Sequence, residues 1–487
     1  MALHDKTSSR ILKKNRAISE LNPWRKLLAA AVLTVALAPA CQAEAQDAGV
    51  EAAKASPHEG SLFERDVMLG DFGGWRSHLE DSGLSLGATS IDETMSVVSG
   101  GVSTGSVYAG RLEMTATLDF EKAFNWPGAS FHANAYQIRG RGLGSNYLGN
   151  NILIPSNIEA TRTTRLYDLW LQQEMLDGTV SLRLGQIAAD EEFIISQYAT
   201  AFVNPTFGWP QFAAFDMPSG GPGYPFAMPG ARLKFAPGND LTFLLAVLNG
   251  DPAGAGAGDP QARDGSGTSF RLNDGALVMG EAAASFGQLT DENSLPGTYK
   301  LGFWYDSTNF ADLRFDRNGL PLADPAAQAP AQRQGDFGLW AVIDQMVWRE
   351  PGTPDGGLGV FLRISGSPAD RSILSFYFDA GATYKGPFAG RENDVLGLAF
   401  GYAKISSALS GLDGDFARIS GTPSPIRDFE SVLELTYRAQ MTPWLALQPD
   451  FQYIFRPSGV AANPADPTGT HPIPDAAVLG IRSTIAF

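Results

Sequence analysis

The chain has 487 residues, 44% of them hydrophobic, and a formal net charge of −16 at pH 7. This acidic balance argues against a nucleic-acid partner and gives no reason to expect an anionic ligand. The single cysteine, Cys41, excludes an intrachain disulfide.

The first predicted element is a signal peptide over residues 1–45. Two basic residues precede the apolar run 27–37, which is followed by small residues, as in secretory signals. We favour cleavage after Ala45, with Ala40 and Ala43 as alternatives. A lipid-modified Cys41 is a further alternative.

Residues 46–61 are small and polar, and this composition predicts a disordered lead. Residues 62–83 then predict a short helical segment around Trp75 and Leu79, which ends at Gly83. We expect this segment to have a structural role, as a cap or as an anchor of the N-terminal part of the chain; a regulatory plug or a partner-binding role is the alternative.

Residues 84–487 consist of segments in which polar and apolar residues alternate. In segment 108–120, Leu112 lies on the apolar face, while Arg111 and Glu113 lie on the polar face. Such a period of two is typical of strands that are buried on one side only. The pattern predicts an all-β fold, an outer-membrane antiparallel barrel of sixteen strands, with eighteen as the alternative.

No helix is predicted after Leu84, and residues 411–418 are interpreted as part of a turn. The last predicted strand has alternating apolar residues and ends at Phe487. We expect this strand to pair with the first strand, which leaves no free sheet edge.

The connections between the predicted strands alternate in length. The short ones include 175–178, 237–240 and 441–443, whereas the long ones are 141–164, 186–230, 250–275, 308–336, 406–427 and 457–475. Short turns on one side and long loops on the other are typical of outer-membrane barrels, whose long loops lie outside the cell.

Four segments carry a resemblance to a known family: GDFGGWRSHLEDSGLSL, YDLWLQQEMLDGTVSLRLGQIAADEEF, LGFWYDSTNF and LELTYRAQMTPWLALQPDFQYIFRPSG. The chain resembles the carbohydrate-selective porins of the OprB family from about Leu62 to Phe487. The resemblance implies a sixteen-stranded barrel in the outer membrane of a Gram-negative bacterium. It also implies passive passage of small sugars such as glucose.

A sugar channel needs polar groups for the sugar hydroxyls and aromatic rings for the C–H faces. The predicted pore-lining, substrate-binding residues are Arg111, Glu113, His132, Asn134, Asp168, Trp170, Gln172, Arg183, Trp304, Asp306, Glu434 and Arg438. Their mixed charges favour a neutral ligand over an ion. Alternatively, each charged residue could form an ion pair on the barrel wall without contacting sugar. For Trp170 and Trp304, the alternative is a position at the membrane interface.

The longest connection, 186–230, is the third external loop. A loop of about 45 residues without structure of its own is uncommon unless it packs on something, and we expect it to fold into the barrel. Its predicted constriction residues are Asp190, Glu191, Glu192 and Trp209. Its aromatic residues either anchor the loop to the wall or contact sugar.

The sequence has no nucleophile, zinc or phosphate-binding motif. It therefore predicts no enzyme, no catalytic residue, no cofactor and no metal. The favoured function is carbohydrate-selective diffusion; the alternatives are a general or cation-preferring porin and a secreted carbohydrate-binding protein. The predicted partners are small sugars and outer-membrane lipid, and the chain is either a monomer or a homotrimer.

Overall fold

The computed structural model describes residues 58–149, 151–287, 294–353 and 355–487. The predicted signal peptide and most of the predicted lead lie outside the described residues. Among the helices in these ranges, none combines the length and apolar character needed to cross a membrane.

Sixteen antiparallel strands form one closed barrel, in which each strand pairs with its neighbours in sequence and the first pairs with the last. The strands are β1 (Leu84–Ser99), β2 (Gly105–Asp119), β3 (Ala129–Gly140), β4 (Thr163–Met175), β5 (Val180–Ile187), β6 (Met228–Phe235), β7 (Leu241–Asn249), β8 (Ala276–Phe286), β9 (Gly297–Asp316), β10 (Pro330–Arg349), β11 (Gly357–Gly366), β12 (Leu374–Lys385), β13 (Val395–Ile405), β14 (Phe429–Thr442), β15 (Leu445–Phe455) and β16 (Ala476–Ala486). The predicted fold class is confirmed, with sixteen strands rather than eighteen.

The helices are short and lie between strands or before them. They are α1 (Trp75–Asp81), α2 (Phe120–Phe124), α3 (Gln211–Asp216), α4 (Pro260–Arg263), α5 (Ser407–Ser420) and α6 (Pro457–Val460). Shorter 3-10 turns lie at Ala189–Glu191, Ala199–Ala201, Pro205–Phe207 and Pro218–Gly220, and a π-helical turn lies at Gly144–Leu148.

Alternation along each strand decides which side chains enter the barrel. On β14, Glu434 is fully buried inside, while its neighbour Leu435 is 46% exposed on the outside. The barrel closes where the Phe487 amide donates to the Ala88 carbonyl at 2.9 Å. Closure leaves no strand edge unpaired in the membrane, where backbone groups have no water to bind.

The hairpin of β9 and β10 is longer than the sequence predicted. Both strands have 20 residues, so the connection expected over 308–336 is reduced to 317–329. The Arg333 guanidinium binds the Asp312 carboxylate at 2.6 Å across the extension. The polar extension was missed because apolar alternation is required only where a strand faces lipid.

The prediction that no helix follows Leu84 was wrong, since α5 lies in the seventh external loop. The Ser406 hydroxyl caps the helix by accepting from the Leu409 amide at 3.4 Å. Arg314 and Arg427 then bind Asp415 and Asp413 at 2.9 Å and 2.7 Å. The helix contains two glycines, which have low helix propensity, and these tertiary ion pairs compensate for it.

The third external loop, residues 188–227, folds into the barrel as predicted. Arg363 on β11 donates to the carbonyls of Thr206 and Gly208 at 2.7 Å and 2.8 Å. Glu434 on β14 accepts from the amides of Val203 and Asn204 at 2.6 Å and 3.0 Å. The loop is thus fixed to strands β11 and β14, and its buried aromatic residues form the core inside the barrel.

Candidate functional site

The acidic turn of the third loop faces the wall formed by strands β2 to β6. The Asp190 carboxylate accepts from the Tyr167 hydroxyl at 2.5 Å and from the Tyr224 amide at 2.8 Å. Glu192 binds Arg183 at 2.8 Å and Arg232 at 2.7 Å. The loop acids and the wall arginines therefore meet in one cluster, which we call the constriction cluster.

Arg111 occupies the external side of this cluster. Its guanidinium lies 4.6 Å from the Tyr136 ring centroid and 5.1 Å from that of Tyr224, which are cation–π distances. The nearest carboxylate, that of Glu113, is 3.5 Å away and also accepts from the Asn134 amide at 2.8 Å. Two aromatic rings and the Glu113 carboxylate thus hold the arginine in place.

Three planar side chains stack beside the loop acids. The rings of His132 and Trp170 lie 4.9 Å apart at an interplanar angle of 21°. The Arg183 guanidinium lies 3.8 Å from the Trp170 ring centroid. Asp168 is fully buried behind this stack, with an oxygen 3.6 Å from His132 Nε2.

Gln172 and Arg232 complete the periplasmic side of the constriction cluster. The Gln172 side-chain oxygen accepts from Arg183 Nε at 3.2 Å and from Arg232 Nη2 at 2.9 Å. Sequence reasoning missed Arg232 because β6 is short and its alternation weak. It also missed Tyr136 on β3 and Tyr224 in the third loop.

The charge of the loop acids depends on their surroundings. Burial and the neighbouring carboxylates of Asp168 and Asp190 raise the pKa of Glu191 to about 9. Burial also raises the pKa of Asp190, although the Tyr167 hydroxyl and the Tyr224 amide oppose that shift. Glu191 is therefore protonated at neutral pH, and the loop carries less negative charge than its sequence suggests.

Two cavities meet the constriction cluster from opposite ends of the barrel. Arg111, Asp190 and Trp209 line a cavity of about 420 Å³ on the external side. Arg183 and Glu192 line a cavity of about 460 Å³ that reaches the periplasmic turn at Gly178. The constriction cluster is the boundary between the two.

Two polar atoms of the constriction cluster, Arg111 Nε and Asn134 Oδ1, are buried without a hydrogen-bond partner among the described residues. The side chains of Glu191 and Trp170, by contrast, interact with the Asp168 carboxylate. Unpaired buried polar atoms cost free energy and require an explanation. Together the two unpaired atoms give the site a donor and an acceptor that a hydroxyl-rich ligand could satisfy.

Other predicted site residues lie away from this cluster. Trp304 and Asp306 on β9 are fully buried, and the Asp306 carboxylate accepts from the Thr308 hydroxyl at 2.5 Å. Glu434 anchors the loop, and Arg438 borders a separate cavity near the periplasmic turns. Sugar contact by these residues stays a prediction, and the first two are enclosed within the packed interior.

Comparisons with known proteins agree with this architecture. The family model described as "Carbohydrate-selective porin, OprB family" matches residues 103–487. Porin B of Pseudomonas aeruginosa is 25% identical over 81% of this chain and 87% of its own length. The putative porin QuiX of Acinetobacter baylyi is 24% identical over 82% of this chain and 90% of its own length.

Solved structures support the fold. The high-pH structure of Pseudomonas putida OprB is 23% identical, with a TM-score of 0.77, and covers 88% of this chain and all of its own. The low-pH structure of the same protein has a TM-score of 0.54 at 19% identity. It covers 87% of this chain and 99% of its own.

Proposed function

Because this chain belongs to the OprB family of carbohydrate-selective porins, we propose that small sugars diffuse through its constriction cluster. The protein is an outer-membrane porin, and its route joins the external and periplasmic cavities at the cluster. No catalytic step and no cofactor are part of this proposal. A soluble secreted carbohydrate-binding protein is disfavoured by the closed barrel, whose outward face carries exposed side chains such as Leu301 and Phe303.

The observation that carries the proposal is the concentration of partly exposed polar side chains of both charges between the two cavities. Arg111, Glu113 and His132 are 15%, 25% and 17% exposed at their side chains. Arg183 and Glu192 are 12% and 16% exposed. Such groups can exchange hydrogen bonds with hydroxyls as a sugar passes, without holding it too tightly to leave.

We propose a supporting role for Trp170 rather than an open platform. Its ring already stacks with His132 and Arg183. What remains for the ligand is the ring edge, which lies beside the Asp168 carboxylate. Trp170 therefore orients the histidine and the arginine, whose donors face the sugar hydroxyls.

A neutral sugar fits the charge balance better than a cation. Glu192 is neutralised by Arg183 and Arg232, and the raised pKa of Glu191 keeps that carboxyl protonated at neutral pH. The cation-preferring alternative requires the loop acids to carry unpaired negative charge. We therefore propose that sugar selectivity outweighs cation preference at pH 7.

We also propose roles for the rest of the chain. Residues 1–45 direct export, and residues 62–83 secure the periplasmic rim, where the Trp444 indole donates to the Leu62 carbonyl at 2.7 Å. The apolar outward face of the barrel contacts outer-membrane lipid. The homotrimer remains a prediction.

Liposome swelling with refolded protein tests the function. We expect glucose to enter faster than an uncharged non-sugar solute of similar size. Removing a hydrogen bond to a charged group costs about 1.5–3 kcal/mol, so Arg111→Ala should weaken glucose binding by about tenfold or more. Trp170→Ala should also lower the preference for glucose.

The matched control is Trp348→Ala, since Trp348 is 43% exposed outside the constriction cluster. It should leave the glucose preference unchanged. Equal entry of both solutes into wild-type liposomes would identify a general porin. Entry of neither solute through a folded barrel would refute the channel itself.

A further inference from the structure

Aromatic side chains cover the outer surface of the barrel on the external halves of β12 to β14. Five rings follow one another across these strands, with neighbouring ring centroids between 5.0 and 6.2 Å apart. We call them the aromatic row: Phe376, Phe378, Phe400, Tyr402 and Phe429. Aromatic rings on the outside of a barrel are typical of the level at which lipid acyl chains meet the headgroups.

Strand alternation places Lys404 on this outer surface, at the external end of the aromatic row. On β13, Ala403 and Ile405 are buried inside the barrel, whereas Leu398 is 52% exposed on the outside. Lys404 shares the outward phase of Leu398 and pairs with Phe429 of β14. It is the last outward residue of β13 before the seventh external loop, so its ammonium group lies at the level of the lipid headgroups.

Arg456 reaches the same position through an unusual backbone conformation. Ile454 is buried inside the barrel, and an extended chain would direct Arg456 inward as well. Its φ of 55° and ψ of 56° are left-handed instead, which is uncommon for a residue other than glycine. The Asp475 carboxylate accepts from the Arg456 amide at 2.8 Å and holds this turn. The guanidinium lies 4.2 Å from the Phe429 ring centroid, at the external end of the aromatic row.

Lys404 and Arg456 share one carboxylate, that of Asp428. Lys404 Nζ binds one carboxylate oxygen, and Arg456 Nη2 lies 3.6 Å from the other. Two positive charges and one negative charge leave the group with a net positive charge. The side chains of Lys404 and Arg456 are 39% and 38% exposed, so a ligand outside the barrel can reach both of them.

A lipid phosphate suits this arrangement of charges and rings. The arginine guanidinium can donate to two phosphate oxygens at once, and the lysine ammonium adds a compact positive charge. Basic clusters at a membrane surface recognise anionic lipid headgroups in this way. A free phosphate ion would leave the aromatic row uncovered, whereas a lipid that binds here by its phosphate lays its acyl chains against the rings. The backbone strain at Arg456 is then explained, because it brings the guanidinium to the outer surface.

We propose that Lys404 and Arg456 bind a phosphate of lipid A, the phosphorylated lipid of the outer leaflet, whose acyl chains lie along the aromatic row. Asp428 keeps the two bases side by side, and the rings fix the depth at which the lipid sits. This site is on the outer side of the wall, whereas the constriction cluster is on the inner side. Loss of lipid A binding should therefore leave glucose flux unchanged, and the proposal does not depend on which solute the channel carries.

Native mass spectrometry of the refolded barrel, titrated with lipid A in detergent, tests the site. We expect the wild type to bind bisphosphorylated lipid A at least tenfold more tightly than the same lipid without phosphates. The double variant Lys404→Gln/Arg456→Gln should lose this preference. The matched control, Arg333→Gln/Arg418→Gln, removes two other external charges, which are 42% and 67% exposed, and should keep the preference. Equal affinity of the wild type for the two lipids, or an unchanged preference in Lys404→Gln/Arg456→Gln, would overturn the proposal.

Asp428→Asn provides a second test with the opposite sign, because it removes the negative charge and keeps both bases. Lipid A should bind this variant several-fold more tightly than the wild type, and weaker binding would overturn the proposal. Phosphatidylglycerol and inorganic phosphate serve as competitors; displacement of lipid A by either at equal concentration would mean that the site does not select lipid A. The compact gel band and the glucose flux of each variant, which should equal those of the wild type, distinguish loss of the site from loss of the fold or of the channel function.

Discussion

Glu191 controls the charge of the constriction through its protonation. Its pKa is raised to about 9 by burial and by the carboxylates of Asp168 and Asp190, so the group is neutral at pH 7 and ionises as the pH rises through about 9. We predict that cation selectivity rises between pH 7 and pH 10. The reversal potential across a planar bilayer in a KCl gradient measures this change.

Glu191→Gln is the matched control for this pH dependence, because it keeps the shape of a protonated carboxyl and cannot ionise. Its reversal potential should stay flat over the same interval. A wild-type potential that changes near pH 5 instead would mean that Glu191 is charged at neutral pH. The cation-preferring alternative would then gain support.

Arg183 acts through its planar shape as well as its charge. It stacks over Trp170 at 3.8 Å and binds Glu192 at 2.8 Å. Lysine keeps the charge but cannot stack as a plane or donate in a fork. For Arg183→Lys we predict that the half-saturating glucose concentration rises several-fold, while ion conductance changes little.

Glucose-dependent block of the single-channel current measures this effect of Arg183→Lys. Arg333→Lys serves as the control, since Arg333 lies on the external extension of β10 and is 42% exposed at its side chain. Unchanged glucose block in Arg183→Lys would show that the positive charge alone is sufficient for glucose binding at this position.

At the scale of elements, a buried arginine on β11 is one of the main anchors of the third loop. Arg363 binds Asp379 at 2.6 Å and donates to three loop carbonyls, those of Ile194, Thr206 and Gly208. Removing one partner of a buried pair costs about 3–5 kcal/mol. We predict that Arg363→Leu loosens the loop and raises single-channel conductance, with entry of larger solutes in liposome swelling.

A surface pair provides the comparison for the loop variant. Lys385 binds Asp355 near the periplasmic turns and is 33% exposed, and such pairs contribute about 0–1 kcal/mol. Lys385→Leu should therefore leave conductance unchanged. If Arg363→Leu has the same conductance as the wild type, the other loop anchors, such as Glu434, are sufficient to hold the third loop in place.

The strands and the third loop differ in how far the sequence alone predicts their side chains' positions. A period of two assigns Arg111, Trp170 and Glu434 to the inner face, because each strand residue has only two sides to choose from. It carries no information on what lies opposite, so it could not show that Glu434, which was predicted to line the pore, accepts from the Val203 amide of the third loop. Only the fold of the long loop distinguishes wall residues that it covers from those that it leaves open.

The whole molecule depends on the joint between its first and last strands. Glu93 on β1 is 2% exposed and accepts from Arg482 Nε on β16 at 2.6 Å. The same carboxylate accepts from the Ser156 hydroxyl at 2.5 Å, and Arg482 also donates to Asn157 at 2.6 Å. One buried ion pair thus connects barrel closure with the second external loop.

Glu93→Leu leaves Arg482 buried without its carboxylate, which costs about 3–5 kcal/mol. We predict that this variant converts from the compact to the unfolded gel band at a lower temperature than the wild type. Arg76→Ala is the control, because it removes a partly buried hydrogen bond, 3.0 Å long, to the Phe487 carbonyl; a hydrogen bond of a charged group contributes about 1.5–3 kcal/mol, less than the buried ion pair. Equal conversion temperatures for both variants would show that backbone pairing alone holds the joint.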